Sequence, residues 1–275
     1  MDDKEFQGEF AEPNLPFQFK IFRTLVFAIG DLKWTGRWPM PFGWQPAEPK
    51  INLNEIILEV LPLLQPGDII LHRDEGFFSN LFIGGVMIHA GLYVGEGQLV
   101  EAISDGVVKR HAAHILHSDL ACVLRPKVST ADKANAIAWS SKIIGFPYDY
   151  LFDFNGQWGR DMIEQHGVGA REKGVRFACT EVPYFCYLEK TPEMKVFRRK
   201  NVNMATRLLS IIGMNPGDVV VDADMYFKSD MELVWCSSTM NPTYISRYYG
   251  KAIDEAYSYK LEKWWKEKKA KETAK

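Results

Sequence analysis

Apolar residues recur along this chain in two rhythms. Between residues 68 and 125 they form short runs with period-two alternation, which predicts strands over 68–72, 88–94, 99–103, 107–111 and 121–125, with Gly-rich turns between the middle ones. Upstream, Ile56, Ile57, Val60, Leu61 and Leu64 follow helical spacing. Asn52 or Asn54 can cap that helix and Pro66-Gly67 stops it. Downstream, Thr130 opens a helix through Ala134, Ile137, Ala138 and Ile144 that ends at Gly145 and Pro147. A further apolar helix is expected over 179–188. Residues 219–221 and 233–236 are expected to return to the sheet. A long helix over 251–271 would carry Ile253, Tyr257, Leu261 and Trp264 on one face. The polar, Gly-rich stretch 155–176 reads as a long loop or insertion. Strands gathered in the middle, with helices before and after, predict an α+β class.

Residues 1–50 are rich in Pro and Trp and read as an extension that wraps the domain, with one helix near 17–30. The expected organisation is therefore an extension over 1–50, a domain over 51–240 and a C-terminal helix over 241–275. The chain of 275 residues, 47% hydrophobic and 25% charged, can build its own core. A formal net charge of −2 argues against a nucleic-acid partner. The first residues, Met1-Asp2-Asp3-Lys4-Glu5, lack the positive start of a secretory leader, and no apolar run is long enough to span a bilayer. A cytoplasmic or peripheral-membrane location is expected, unless a leader has been removed.

The four cysteines, 122, 179, 186 and 236, form no CxxC pair. Cys122, Cys186 and Cys236 read as small core residues. Cys179 follows a Gly-rich stretch at an expected helix start, where a thiol ionises more readily and where backbone N–H groups can hold an oxyanion. The competing reading is a buried structural cysteine. His89 interrupts an apolar strand, and alternation puts it with Gly91 and Tyr93 on one face. Gly91 would leave an open space beside the imidazole for a substrate backbone. If the Gly95-Glu96-Gly97 turn is symmetric, Val94 pairs with Gln98 and Gly91 with Glu101. Glu101 then lies diagonal to His89 and can orient its ring. A shift of one residue would send Glu101 to the other face.

His111, His114 and His117 recur every three residues but lack a closed ligand set, so no metal and no cofactor are expected. Trp264-Trp265 within the Lys-rich tail suit either a helix docked by its Trp face or a contact with a membrane surface.

Taken in order, several segments resemble the circularly permuted NlpC-type papain-like cysteine hydrolases, the YiiX-like group. They are Leu64-Gln65-Pro66-Gly67-Asp68-Ile69-Ile70, His89-Ala90-Gly91-Leu92-Tyr93-Val94-Gly95, Val100-Glu101-Ala102 with Gly106-Val107, Leu124-Arg125-Pro126, Pro147-Tyr148-Asp149 and Cys179-Thr180-Glu181-Val182. Asn215-Pro216-Gly217-Asp218 followed by Leu233-Val234 resembles the closing segment of that group. The resemblance spans about residues 64–236. It implies a papain-like core in permuted order, with the histidine strand before the cysteine helix. Carried over, Cys179 matches the nucleophile, His89 the base and Glu101 the orienting residue, while Tyr148 matches a recurrent aromatic. Gly91, Tyr93 and Tyr148 are the expected substrate contacts. The implied activity is acyl hydrolysis of a peptide or an acylated small molecule, such as a cell-wall peptide or N-acyl compound, through a thioester. The competing functions are a lipid-directed acyl hydrolase or acyltransferase at a membrane surface, and a non-catalytic binding protein that retains the fold.

Overall fold

The computed structural model describes residues 32–34, 42–43, 49–77, 80, 85–200, 217, 219–250 and 253–274. The helix expected near 17–30 lies outside them. Two short strands, β1 (Lys33–Trp34) and β2 (Phe42–Gly43), pair with each other. The expected strands form β3 (Ile69–Arg73), β4 (His89–Gly95), β5 (Gln98–Ile103), β6 (Gly106–His111) and β7 (Leu120–Arg125). With β10 (Glu232–Cys236) they build one antiparallel sheet of order β10-β7-β3-β4-β5-β6. The class is α+β.

Alternation along these strands feeds two cores. Ile69, Leu71, Ala90, Leu92, Val100, Ala102, Cys122 and Leu124 face the larger one. Helices α2 (Thr130–Ile143), α4 (Glu181–Cys186), α5 (Ala223–Lys228) and α7 (Glu255–Thr273) supply Trp139, Phe185, Phe227 and Leu261 to it. Ile70, Tyr93, Leu99, Ala121, Val123 and Trp235 face the smaller core, closed by Ile56 and Val60 and by the short helix α1 (Ala113–Leu116). Ser129 caps α2 reciprocally with Asp132. The helix expected from Asn52 runs to Leu63 as two short irregular pieces; Ile56 and Val60 are buried while Ile57 is exposed.

Two expectations need correction. Residues 155–176 are not a loop, because they contain α3 (Gly156–His166) and a 3-10 turn over Gly167–Arg171. The buried residues of α3 are Gly156, Gly159, Arg160 and Ile163, so few apolar side chains mark the segment in the sequence. Arg160 stays buried because it lies over the Trp139 ring and donates to the Phe185 and Cys186 carbonyls. Val219 and Val220 do not rejoin the main sheet: they form β9 and pair with β8 (Arg199–Lys200). The free edge of β7 is taken by β10 instead.

The terminal segment docks rather than extends. Helix α6 (Pro242–Tyr249) precedes α7, whose Tyr257 and Leu261 are buried. Trp264 and Trp265 pack against the larger core, and the Trp265 indole donates to the Met240 carbonyl at 2.9 Å. Among the described residues no helix is long and apolar enough to cross a membrane.

Candidate active site

The site forms where the start of β4 meets the turn before α4. Asp68 anchors the first strand: it is fully buried, accepts both Arg125 Nε (2.8 Å) and Nη2 (2.7 Å), and also takes the Gln65 amide. That bidentate pair physically joins the Pro66-Gly67-Asp68 turn to the end of β7. Gly67 adopts φ +94°, and a Cβ there would lie 2.7 Å from the Tyr187 hydroxyl, so glycine is required. From this anchor β3 runs beside β4, and His72 falls opposite His89.

The β4–β5 register places Gly91 opposite Glu101, as expected from the turn. The turn is not symmetric throughout: a register shift pairs Gln98 with Gly95 and not with Val94. Glu101 is therefore on the face of His89, and His89 Nε2–H donates to Glu101 Oε2 at 2.6 Å. Arg110, on the neighbouring strand β6, approaches the other carboxylate oxygen at 3.3 Å.

Cys179 lies in the turn before α4, not inside the helix, which begins at Glu181 and ends at Cys186. The turn is closed by reciprocal bonds: Glu181 Oε2 accepts the Ala178 amide at 3.0 Å, and the Ala178 carbonyl accepts the Glu181 amide. Residues 147–149 run beside Phe177, with the Phe177 amide on the Pro147 carbonyl and the Asp149 amide on the Phe177 carbonyl. That alignment brings the Tyr148 hydroxyl to 3.8 Å from the Cys179 sulfur. The thiol donates to the Ile88 carbonyl at 3.6 Å, immediately before His89, so the sulfur sits beside the imidazole and each shifts the ionisation of the other. With Nε2 turned to Glu101, Nδ1 is the ring nitrogen left for the sulfur.

The electrostatics follow from this chain of contacts. Burial disfavours a charge on His89, but the Cys179 sulfur and the Glu101 carboxylate outweigh it and lift the imidazole to about 10. Burial also works against ionising Cys179, yet His89, the Tyr148 hydroxyl and the Thr180 amide bring the thiol below its ordinary value. Glu101 is held below the usual carboxylate range: burial opposes its charge, and His89 and Arg110 more than compensate. His72 is different. Burial and the neighbouring His89 push it down to about 3, so its ring is neutral. It meets His89 edge-on, with ring centroids 4.8 Å apart.

Of the residues singled out from the sequence, Cys179, His89, Glu101 and Tyr148 come together. Gly91 and Tyr93 face the smaller core and not an open cleft. A Cβ on Gly91 would lie 2.7 Å from Leu99 Cδ1 and 3.1 Å from Ile115 Cδ1, so the expected opening beside the imidazole is filled by core. Tyr93 is buried in the smaller core, and its hydroxyl accepts the Gly97 amide at 3.0 Å. His72, Arg110 and Glu181 were not singled out. The pairing of β3 with β4 identifies His72, but only once the register is known. His111 accepts the Ala113 amide through Nδ1. Among the described residues no group of three or more His, Cys, Asp or Glu side chains is arranged to hold a metal ion.

No protein-family model and no curated protein matches the chain. Among solved structures, the metalloprotein yiiX from Escherichia coli O157:H7, a DUF1105 protein, is similar to it at 19% identity and a TM-score of 0.46, over 62% of this chain and 96% of that one.

Proposed function

We propose that this chain is a cysteine-dependent acyl hydrolase of the amidase or peptidase type, built on a papain-like plan in permuted order. Cys179 is the nucleophile, His89 the general base and acid, and Glu101 the group that orients the imidazole. The observation that carries the reading is the convergence of the Cys179 sulfur, held on the Ile88 carbonyl next to His89, with the His89–Glu101 hydrogen bond.

The chemistry follows from that line. His89 takes the thiol proton, and the resulting imidazolium is stabilised by Glu101 on its far side. The thiolate attacks an acyl carbon, whose oxygen takes up the electron pair. Collapse of this intermediate breaks the bond to the leaving group, which receives the proton from His89. Water, deprotonated by His89, then adds to the thioester, and the acid departs as the thiol is regenerated. The Tyr148 hydroxyl, beside the sulfur, borders the position of the acyl group. The substrate class, an amide such as a cell-wall peptide or an N-acyl compound, rests on the sequence resemblance.

The test is product release from a panel of peptide, N-acyl, ester and thioester substrates. Cys179→Ser and His89→Ala should each lower turnover by on the order of a thousandfold or more, with the melting temperature nearly unchanged. Turnover that persists in either variant would remove the assignment.

A further inference from the structure

The two reactive side chains come from segments ninety residues apart, and one short segment touches the backbone of both. Helix α5 opens with Asp222 accepting the Asp224 amide, which fixes the first turn. Asp224 is buried and unavailable to solvent. Its Oδ2 accepts the Val86 amide and its Oδ1 the Met87 amide, both at 2.8 Å. These two residues lead directly into Ile88, which accepts from the Cys179 thiol, and into His89. The approach is close: a Cβ on Gly85, at φ +108°, would lie 2.5 Å from Asp224 Oδ2.

The same segment holds the other side. Thr180, the residue after Cys179, donates its hydroxyl to the Val221 carbonyl at 2.6 Å. The Thr180 carbonyl accepts the Tyr226 hydroxyl at 2.5 Å. All four bonds are buried, so none has water as an alternative partner. Neither Asp224 nor Tyr226 is assigned a part in the hydrolytic steps.

We infer that residues 221–226 form a clasp that sets the separation of Cys179 and His89, with Asp224 as the positioning residue on the histidine side and Tyr226 as its counterpart on the cysteine side. This rests on the reading of Cys179 and His89 as nucleophile and base. A thiolate–imidazolium pair depends steeply on distance, so a small loosening of either arm returns the thiol toward its ordinary ionisation. Asparagine at 224 can accept only one of the two amides, because its NH2 group is itself a donor. Phenylalanine at 226 preserves the ring and removes the bond to Thr180.

The experiment follows the rate of Cys179 alkylation by iodoacetamide from pH 5 to 10, with the modified residue located by mass spectrometry. In Asp224→Asn the acid limb should move up by about one pH unit, so the rate on that limb falls about tenfold, while the alkaline plateau stays at the wild-type value. Tyr226→Phe should move the limb in the same direction. Trp265→Ala, remote from both arms, should lower the melting temperature and leave the limb in place. Wild-type limbs in both clasp variants would overturn the proposal, and if Asp224→Asn fails to fold, Tyr226→Phe alone decides it. A wild-type Cys179 that titrates as an ordinary thiol would remove the Cys–His reading and the clasp with it. A displaced wild-type limb that both variants retain removes the clasp alone.

Discussion

Cys179 precedes the short helix α4 and Cys186 is its last residue, and both are buried, at 6% and 2% exposure. They nevertheless ionise in opposite directions. Burial raises the Cys186 thiol above its ordinary value, and the Arg160 guanidinium only partly offsets it. Burial opposes Cys179 as well, but a hydrogen-bonded imidazole with its own carboxylate outweighs the desolvation. Cys122 and Cys236, opposite each other on β7 and β10, follow Cys186. Burial alone therefore does not fix the direction in which a thiol's ionisation moves; the charge beside it does.

The sharpest way to break that contrast is competition between the cysteines. In the native protein at neutral pH, Cys179 should react with iodoacetamide at least about a hundredfold faster than Cys122, Cys186 or Cys236. Equal sluggishness of all four, measured by peptide mass spectrometry, would favour a binding protein that keeps the fold. A comparable effect is expected at Glu101. Glu101→Gln keeps an acceptor for the imidazole but removes the charge that favours its protonated form, so turnover should fall on the order of a hundredfold. The His89 ionisation, now at about 10, should fall at the same time, so the alkaline limb of the activity profile moves to lower pH. An alkaline limb that stays in place would show that Glu101 does not support the imidazolium. The smallest effect concerns the other end of the molecule. Trp265→Ala removes a packed ring and its bond to Met240, and should cost about 2 kcal/mol of stability in a denaturant titration. No loss of stability would mean that the Trp pair is not docked and would reopen its role as a contact for membranes.

Much of this arrangement was legible from periodicity. The five strands from β3 to β7 lie close to where the short apolar runs place them, because β3, β4, β5 and β7 are sandwiched between the larger and the smaller core and carry apolar residues on both faces. The Gly91–Glu101 pairing was readable from the turn, and with it the shared face of His89 and Glu101. Where the chain departs from simple rules the reading failed. Glu96 adopts φ +53° between two glycines, and the resulting register shift moved the partner of Gln98 by one residue. Helix α3 was missed because its sequence is polar and its buried residues are two glycines and Arg160 beside Ile163, which read locally as a Gly-rich loop. Gly91 invited a cavity, but Leu99 and Ile115 fill the space from neighbouring elements, which no local pattern reveals. The roles of His72 and Asp224 depend on contacts between distant segments and had no signature in sequence.

The account stands on an ion pair between Cys179 and His89. It is tested most directly by the pH dependence of thiolate absorbance near 240 nm, taken as the difference between the wild-type protein and Cys179→Ser. Because the thiol lies below its ordinary value of 9.0 and the imidazole at about 10, the charged pair should exist between those two points. As pH falls the sulfur takes up a proton, and as pH rises past the upper point the imidazolium loses one. The expected result is thiolate absorbance that is lost, as pH falls, through a transition below pH 9. A single transition at or above pH 9, with no thiolate at neutral pH, would contradict it.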